Sequence, residues 1–350
     1  MERHLYPLLF SPVLKDYVWG GRNLEQVLGR ELPPGRVAES WEIAAHDDGA
    51  STVANGPYAG LSLTAVHAML GLDLIGRRNA WSQERGKFPL LVKLLDANDK
   101  LSVQVHPNDA FALAHEGNEL GKTEMWVVLH ARPGARLIIG VQRGVTAQQF
   151  RQAIDAGTLE ECLHTVAVKA GDFVCVPSGT VHALLDGVVI AEIQQNSNTT
   201  YRVYDWNRAA RGQARPLHVD KAMAVIDFNC IEPPLPQPTP LPAGDGVRRS
   251  LLCHNQYFTT ERIELAAGAT FEGILDGETL EIWGNLSGAI EINGIVIEDT
   301  RFALLPAALG PFHVHAVGAA TCLRTYVAGS SGPPVSKTDA HNSEENLPPR

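Results

Sequence analysis

The chain has 350 residues, 29 Lys plus Arg against 39 Asp plus Glu, and a formal charge of −10 at pH 7. Such a balance excludes nucleic acid as a main partner, because affinity for phosphate backbones needs clustered cations, yet leaves room for one small anion in a locally basic pocket. A chain of this length, 45% hydrophobic, can bury a sizeable core as one large or two medium domains.

Gly (32) and Pro (22) punctuate many short apolar runs, which is the texture of a β-rich protein with many turns. In chain order, residues 61–74 are expected to be helical, with Ser62 or Thr64 as cap. Runs at 88–95, 101–105, 125–129 and 136–141 predict strands. A second helix is expected from Thr146 to about residue 156, because Gln149 stands at the capping-box spacing. Thr158 and Glu161 repeat that spacing and predict a short third helix ending near His164. Further strands are expected at 172–176 and 188–193. The segment EPPLPQPTPLP (232–242) reads as a stiff, extended connector, since alternating prolines cannot join a ladder. Beyond it, residues 243–328 are almost pure strand and turn, with Asn293-Gly294 a strong two-residue hairpin signal. Residues 329–350 read as a disordered tail.

No apolar stretch reaches the roughly 18 residues of a membrane span, and the N-terminal segment does not read as a signal peptide. The five cysteines (162, 175, 230, 253, 322) are scattered and odd in number. Reduced, mostly buried thiols in a cytoplasmic protein are expected.

Metal-competent residues are densest in LSVQVHPND followed by GKTEMW. Side chains two apart in a strand share a face, so Gln104 points with His106, and Glu124 with Trp126. His182 follows a Pro-x-Gly turn that opens another strand. Two imidazoles, a carboxylate and an amide oxygen suit a four-coordinate or open Zn²⁺ site. Each also has a plain structural reading, as a satisfied strand His or a solvent-facing Glu.

The spacing Gly171-x5-Pro177-x-Gly179-x2-His182-x3-Asp186 resembles the second motif of the cupin superfamily, with Asp where Asn is commoner. The first cupin motif is altered, Gln104-x-His106 standing for His-x-His. Taken with LVKLLDANDKLSVQVHPND, GKTEMWVVL, EIQQNSNTTYRVYDW, WGG (19–21) and AESWEIAAH (38–46), the chain resembles the type I mannose-6-phosphate isomerase (phosphomannose isomerase) family, nearest its shorter bacterial members. The resemblance implies a mostly β protein of two cupin (jelly-roll) barrels with a small helical insertion. Residues 1–231 would form the metal-binding barrel, 232–242 the linker and 243–328 a metal-free barrel.

The same resemblance implies one Zn²⁺ per chain, held by Gln104, His106, Glu124 and His182. It implies interconversion of mannose 6-phosphate and fructose 6-phosphate through a cis-enediol, which needs an electrophile, a base and a cationic phosphate anchor. Lys122 and Ser102 fall at positions near substrate, and Arg202 at the family's active-site arginine, for the phosphate or the enediolate oxygens. Arg208 is a second candidate anchor in the basic stretch from Arg202 to Arg215. The base is Glu192 or Lys122; Asn198, where many relatives carry Asp, cannot take a proton. Trp126 is expected on the pocket wall, whereas His313-x-His315 lacks a following Glu and reads as structural. A small-molecule phosphosugar is the expected partner, with neither nucleic acid nor membrane, on a monomer or weak homodimer. The rival readings are a non-catalytic sugar-phosphate-binding cupin and another metal-dependent cupin enzyme, using Fe²⁺ or Mn²⁺. Residues 216–350 carry 8 basic and 16 acidic residues, so −8 of the −10 lies outside the stretch holding every candidate site residue.

Overall fold

A computed structural model describes residues 5–208, 212 and 215–327. The tail expected from 329 lies outside the described residues. The fold is mostly β, two jelly rolls of the cupin type. In the first, a sheet ordered Leu163–Ala167, Arg136–Val141, His182–Leu184, Val103–Val105, Tyr201–Tyr204 faces a six-stranded one. That second sheet runs Phe173–Val176, Glu124–Ala131, Val188–Gln195, Leu90–Ala97, Glu39–Ile43, Val13–Lys15. Trp126, Val128, Ile190 and Leu95 from the six-stranded sheet meet Leu137, Ile139 and Leu184 of the other to fill the barrel.

The six-stranded sheet is covered on both faces. Its outer side chains (Leu90, Val92, Leu94, Met125, Val127, Ile193) pack against Leu252, Phe258, Ile282, Leu304 and Leu323 of the second barrel. Two-sided burial explains why the strand Leu90–Ala97 is apolar at nearly every position rather than alternating. The second barrel pairs an eight-stranded sheet with a four-stranded one around Ile263, Trp283, Phe312 and Val314. Ile290–Ile292 and Ile295–Ile297 form the expected hairpin, Asn293 and Gly294 taking φ of 49° and 82° as a type I′ turn requires.

The structure corrects several expectations. Leu8–Ser11 lies in the second barrel's large sheet, pairing with Phe302–Leu305 (Leu8 opposite Leu304), so the core is not divided at residue 231. Part of the Pro-rich segment is a strand: Thr239–Leu241 pairs with Val247–His254 at the sheet edge, where Pro240 need not donate to a further neighbour. The first helix breaks at Gly71 (φ 53°) into Leu63–Leu70 and Leu72–Ile75, with the Ser62 hydroxyl as cap. Ala147–Ala156 has its Thr146/Gln149 capping box, but Thr158 makes no cap bond and Leu159–Cys162 is a single 3-10 turn. Cys175 and Cys253, expected as free thiols, are joined in a disulfide between the two barrels. Cys162 and Cys322 are free and buried. No helix among the described residues is long and apolar enough to cross a membrane.

Candidate active site

Strand register builds the site. On the five-stranded sheet, Gln104 lies between His182 and Arg202 as their direct cross-strand neighbour. On the facing sheet, Glu124 lies opposite Gln194, Trp126 opposite Glu192, and Glu192 opposite Lys93. His106 follows the end of its strand, and its Nδ1 bonds the Thr199 carbonyl at 2.9 Å. His182 does the same with the Thr180 carbonyl at 2.9 Å. Both rings therefore donate through Nδ1 and turn Nε2 inward, which fixes the tautomer a metal ligand needs.

Those two Nε2 atoms stand 3.5 and 3.4 Å from the two Glu124 oxygens. Potential ligand atoms of His106, Glu124 and His182 all lie within 4.8 Å of one another, and all three residues are buried. Neither Glu124 oxygen has a well-directed hydrogen bond, although Lys122 Nζ stands 2.7 Å from one. Lys122 Nζ also lies 3.0 Å from His106 Nε2, so the ammonium sits against two of the three donors, and two imidazoles with a carboxylate, their ligand atoms within 4.8 Å, are a donor set that fits a divalent metal. Gln104 is adjacent, its Nε2 3.4 Å from His182 Nε2 and its Oε1 accepting from Ser102 Oγ. Ligation by its oxygen requires the amide to turn over, and Ser102 Oγ could then accept the amine.

Above this group a cavity of about 280 Å³ opens to solvent, lined by Ser102, Gln104, Lys122, Trp126, Glu192, Arg202 and Arg215 among others. Burial lowers His106 to about 3, with the Lys122 charge adding to it, and burial lowers His182 too. Burial opposes the charge of Glu124, but Lys122 and the two histidines hold its carboxyl well below the usual carboxylate range. Glu192 goes the other way. Burial and then the Glu124 charge push it up to about 7, against the pull of Lys122 and Lys93. Two neighbouring buried carboxyls thus have pKa values driven apart by their surroundings.

Ser102, Lys122, Glu192 and Arg202 all line the cavity. Arg202 donates from Nε to Ser102 Oγ at 3.1 Å and from Nη1 to the Pro216 carbonyl at 2.8 Å. Trp126 forms pocket wall, its Nε1 donating to Glu192 at 3.0 Å, and Trp19 and Asn198 also line the cavity. Arg208 does not. It is buried, pairing with Asp205 at 2.7 Å and Asp99 at 2.9 Å. His313 and His315 lie on the outer side of their strand, whose alternate residues Phe312, Val314 and Ala316 fill the barrel.

Sequence reasoning missed Lys93, Glu39 and Arg215. Lys93 Nζ stands 3.5 Å from Glu39 and 3.6 Å from Glu192 inside the cavity. A single cation amid the apolar residues of the strand Leu90–Ala97 was the signal for it. For Arg215 the basic stretch from Arg202 was the signal, but nothing in it marks which arginine faces the cavity.

A jelly roll that presents two imidazoles and a carboxylate beneath a cation-lined cavity defines a metal-site cupin enzyme. The family model for the phosphomannose isomerase type I catalytic domain matches residues 8–120. The chain is 39% identical over 315 residues to "Probable mannose-6-phosphate isomerase GmuF" of Bacillus subtilis (strain 168), covering 88% of this chain and 96% of that protein. It is 39% identical over 267 residues to the mannose-6-phosphate isomerase of Streptococcus mutans serotype c, covering 76% and 81%. The crystal structure of the mannose 6-phosphate isomerase from Bacillus subtilis superposes with a TM-score of 0.77 at 30% identity, over 91% of this chain and 99% of that one. The chain belongs to the type I phosphomannose isomerase family, whose members are metal-dependent.

Proposed function

We propose that this chain is a mannose-6-phosphate isomerase that binds one Zn²⁺ through His106, Glu124 and His182, with Gln104 as fourth donor. The observation that carries the reading is the buried donor group of His106, Glu124 and His182, its ligand atoms within 4.8 Å of one another, beside a cavity lined by Lys122, Lys93, Arg202 and Arg215. When bound, Zn²⁺ supplies Lewis-acid polarisation of the sugar oxygens. The chain's own residues do the rest. Arg202 and Ser102 hold the phosphate, the guanidinium already being oriented by its bonds to Ser102 and Pro216. Glu192 serves as base, removing the C2 proton of the aldose and returning it at C1 through a cis-enediol, while the hydroxyl proton passes from O2 to O1. Its pKa near 7 places it where a base that must also give the proton back works best. Lys122 and Lys93 stabilise the ionised form of Glu192 and offset the charge that develops on the substrate oxygens.

The test is a coupled assay on mannose 6-phosphate with elemental analysis of the same preparation. About one zinc per chain is expected, with activity abolished by a chelator and restored by Zn²⁺. His182→Ala is expected to lose both metal and turnover. Isomerisation untouched by thorough chelation would overturn the zinc reading. Turnover that requires oxygen would point instead to a redox cupin, since an isomerase consumes no oxidant.

A further inference from the structure

We propose that Arg215 is the second cation of the phosphate subsite, and that Arg208 acts on substrate only indirectly, by holding Arg215 in place through Asp205. The inference rests on the isomerase reading and deepens it.

Asp205 is a buried carboxylate just beyond the strand Tyr201–Tyr204. Arg215 grips it through two nitrogens, Nε at 2.9 Å and Nη2 at 2.5 Å, while Arg208 Nη1 binds the same carboxylate at 2.7 Å. Arg208 is anchored in turn on Asp99 at 2.9 Å. The result is a chain of ion pairs, Asp99–Arg208–Asp205–Arg215, that ends at the cavity wall.

The two arginines differ in what they can reach. The Arg208 side chain is 3% exposed, and it does not line the cavity. The Arg215 side chain is 22% exposed and does line it. The four groups are formally balanced, so the positive excess at this wall comes from Arg202, and Arg215 is the member of the chain that faces the cavity beside it.

Arg202 is laced to the same segment. Its Nη1 donates to the carbonyl of Pro216, the residue after Arg215, and its backbone exchanges hydrogen bonds with His218. Two guanidiniums thus stand side by side, and the charge of Arg215 adds to burial in lowering Arg202 from its usual value. Like charges held together at a cavity wall are stabilised by a shared dianion. Their forks are held by Asp205, Ser102 and Pro216, which leaves the remaining N–H groups of each guanidinium, Nη2 of Arg202 and Nη1 of Arg215 among them, to donate to the terminal oxygens of a phosphate monoester. The carboxylates Glu192 and Glu39 also line the cavity, and they would repel a phosphate. This polarity sets the phosphate at the arginines and the reacting carbons at Glu192.

The test compares binding of glucitol 6-phosphate and of glucitol, neither of which can turn over, to metal-loaded wild type, R215A, R215K, R208A and R208A/R215A. R215A is expected to weaken glucitol 6-phosphate by roughly ten- to a hundred-fold, the worth of a charged hydrogen-bonding partner. R215K should recover part of the loss, glucitol itself should shift little, and KM for mannose 6-phosphate should rise more than kcat falls. R208A should resemble R215A, and the double variant should be no worse than R215A alone, because both remove one contact. Should R208A fail to fold, D205N tests the same tether. R215A binding glucitol 6-phosphate within about two-fold of wild type would overturn the role of Arg215. A double variant whose loss is the product of the single losses would overturn the indirect role of Arg208. Failure of the isomerase reading is separate, since wild type would then not convert mannose 6-phosphate at all.

Discussion

Glu192 is the residue on which the proposed chemistry turns, and its environment makes a specific demand. Its Oε2 accepts from Trp126 Nε1, its Oε1 has no hydrogen bond, and Lys93 and Lys122 stand at 3.6 and 4.0 Å. Burial holds it near 7, so a growing fraction ionises as pH rises through that value. Activity that needs the carboxylate must therefore rise with pH on the acid limb and level off above it. A cation bound at Glu124 would favour ionisation and move that limb to lower pH. Glu192→Gln keeps the shape and removes the proton acceptor. A fall in kcat of roughly 10²- to 10⁴-fold is expected, with glucitol 6-phosphate binding preserved and the acid limb abolished. A variant that retains most of its kcat would overturn the base role of Glu192. Near-total loss of sugar binding would instead make Glu192 a binding residue.

At the scale of elements, loops between rigid strands carry the charges that the strands cannot. Glu119 precedes the Gly121–Thr123 turn into the ligand strand and bridges His46 and Lys87, at 3.3 and 2.9 Å. Burial would raise its carboxyl, but hydrogen bonds from His46 and Lys87 bring it down to about 2. Because the folded value lies below the unfolded value, the pair stabilises the fold fully above about pH 4.5. That contribution disappears as pH falls towards 2. Glu119→Gln should therefore be less stable than wild type at neutral pH, and the gap should close in acid, as chemical denaturation at several pH values would show. Strand-borne parts of the site were legible in the sequence because period two places Gln104 with His106, and Glu124 with Trp126, on one face. Their convergence across two sheets was not readable from period alone, and came from resemblance. The Thr146/Gln149 helix was legible because both halves of its cap are local. That Arg208 lies off the cavity wall was not legible, because a loop has no period. Six residues after Arg202, nothing local tells a cation facing the cavity from one buried against Asp205 and Asp99.

For the whole molecule, the second barrel is a buttress built into the first. Leu8–Ser11 belongs to its sheet, and their shared core runs from Leu24 and Val92 to Phe258 and Leu323. A polar route crosses the same interface. Tyr257 donates to Asp109 at 2.6 Å, Asp109 accepts from Gln195 at 3.0 Å, and Gln195 accepts from the Thr123 amide at 2.9 Å, beside Lys122 and Glu124. The Cys175–Cys253 disulfide clamps that interface, four residues from Tyr257 on one side and one residue from Val176, the cross-strand neighbour of Glu124, on the other. Nothing in the cysteine spacing predicts this pairing, since the two lie 78 residues apart and meet only because the barrels pack face to face. Closing a loop of that size restricts the unfolded chain, which by loop entropy stabilises the fold by about 4 kcal/mol. Reduction, or Cys253→Ser, should accordingly lower the thermal midpoint in scanning calorimetry. Isomerase activity at moderate temperature should persist, because the shared apolar core still holds the barrels together. A midpoint unmoved by reductant, with five free thiols by mass spectrometry of alkylated native protein, would show that the barrels are joined by packing alone.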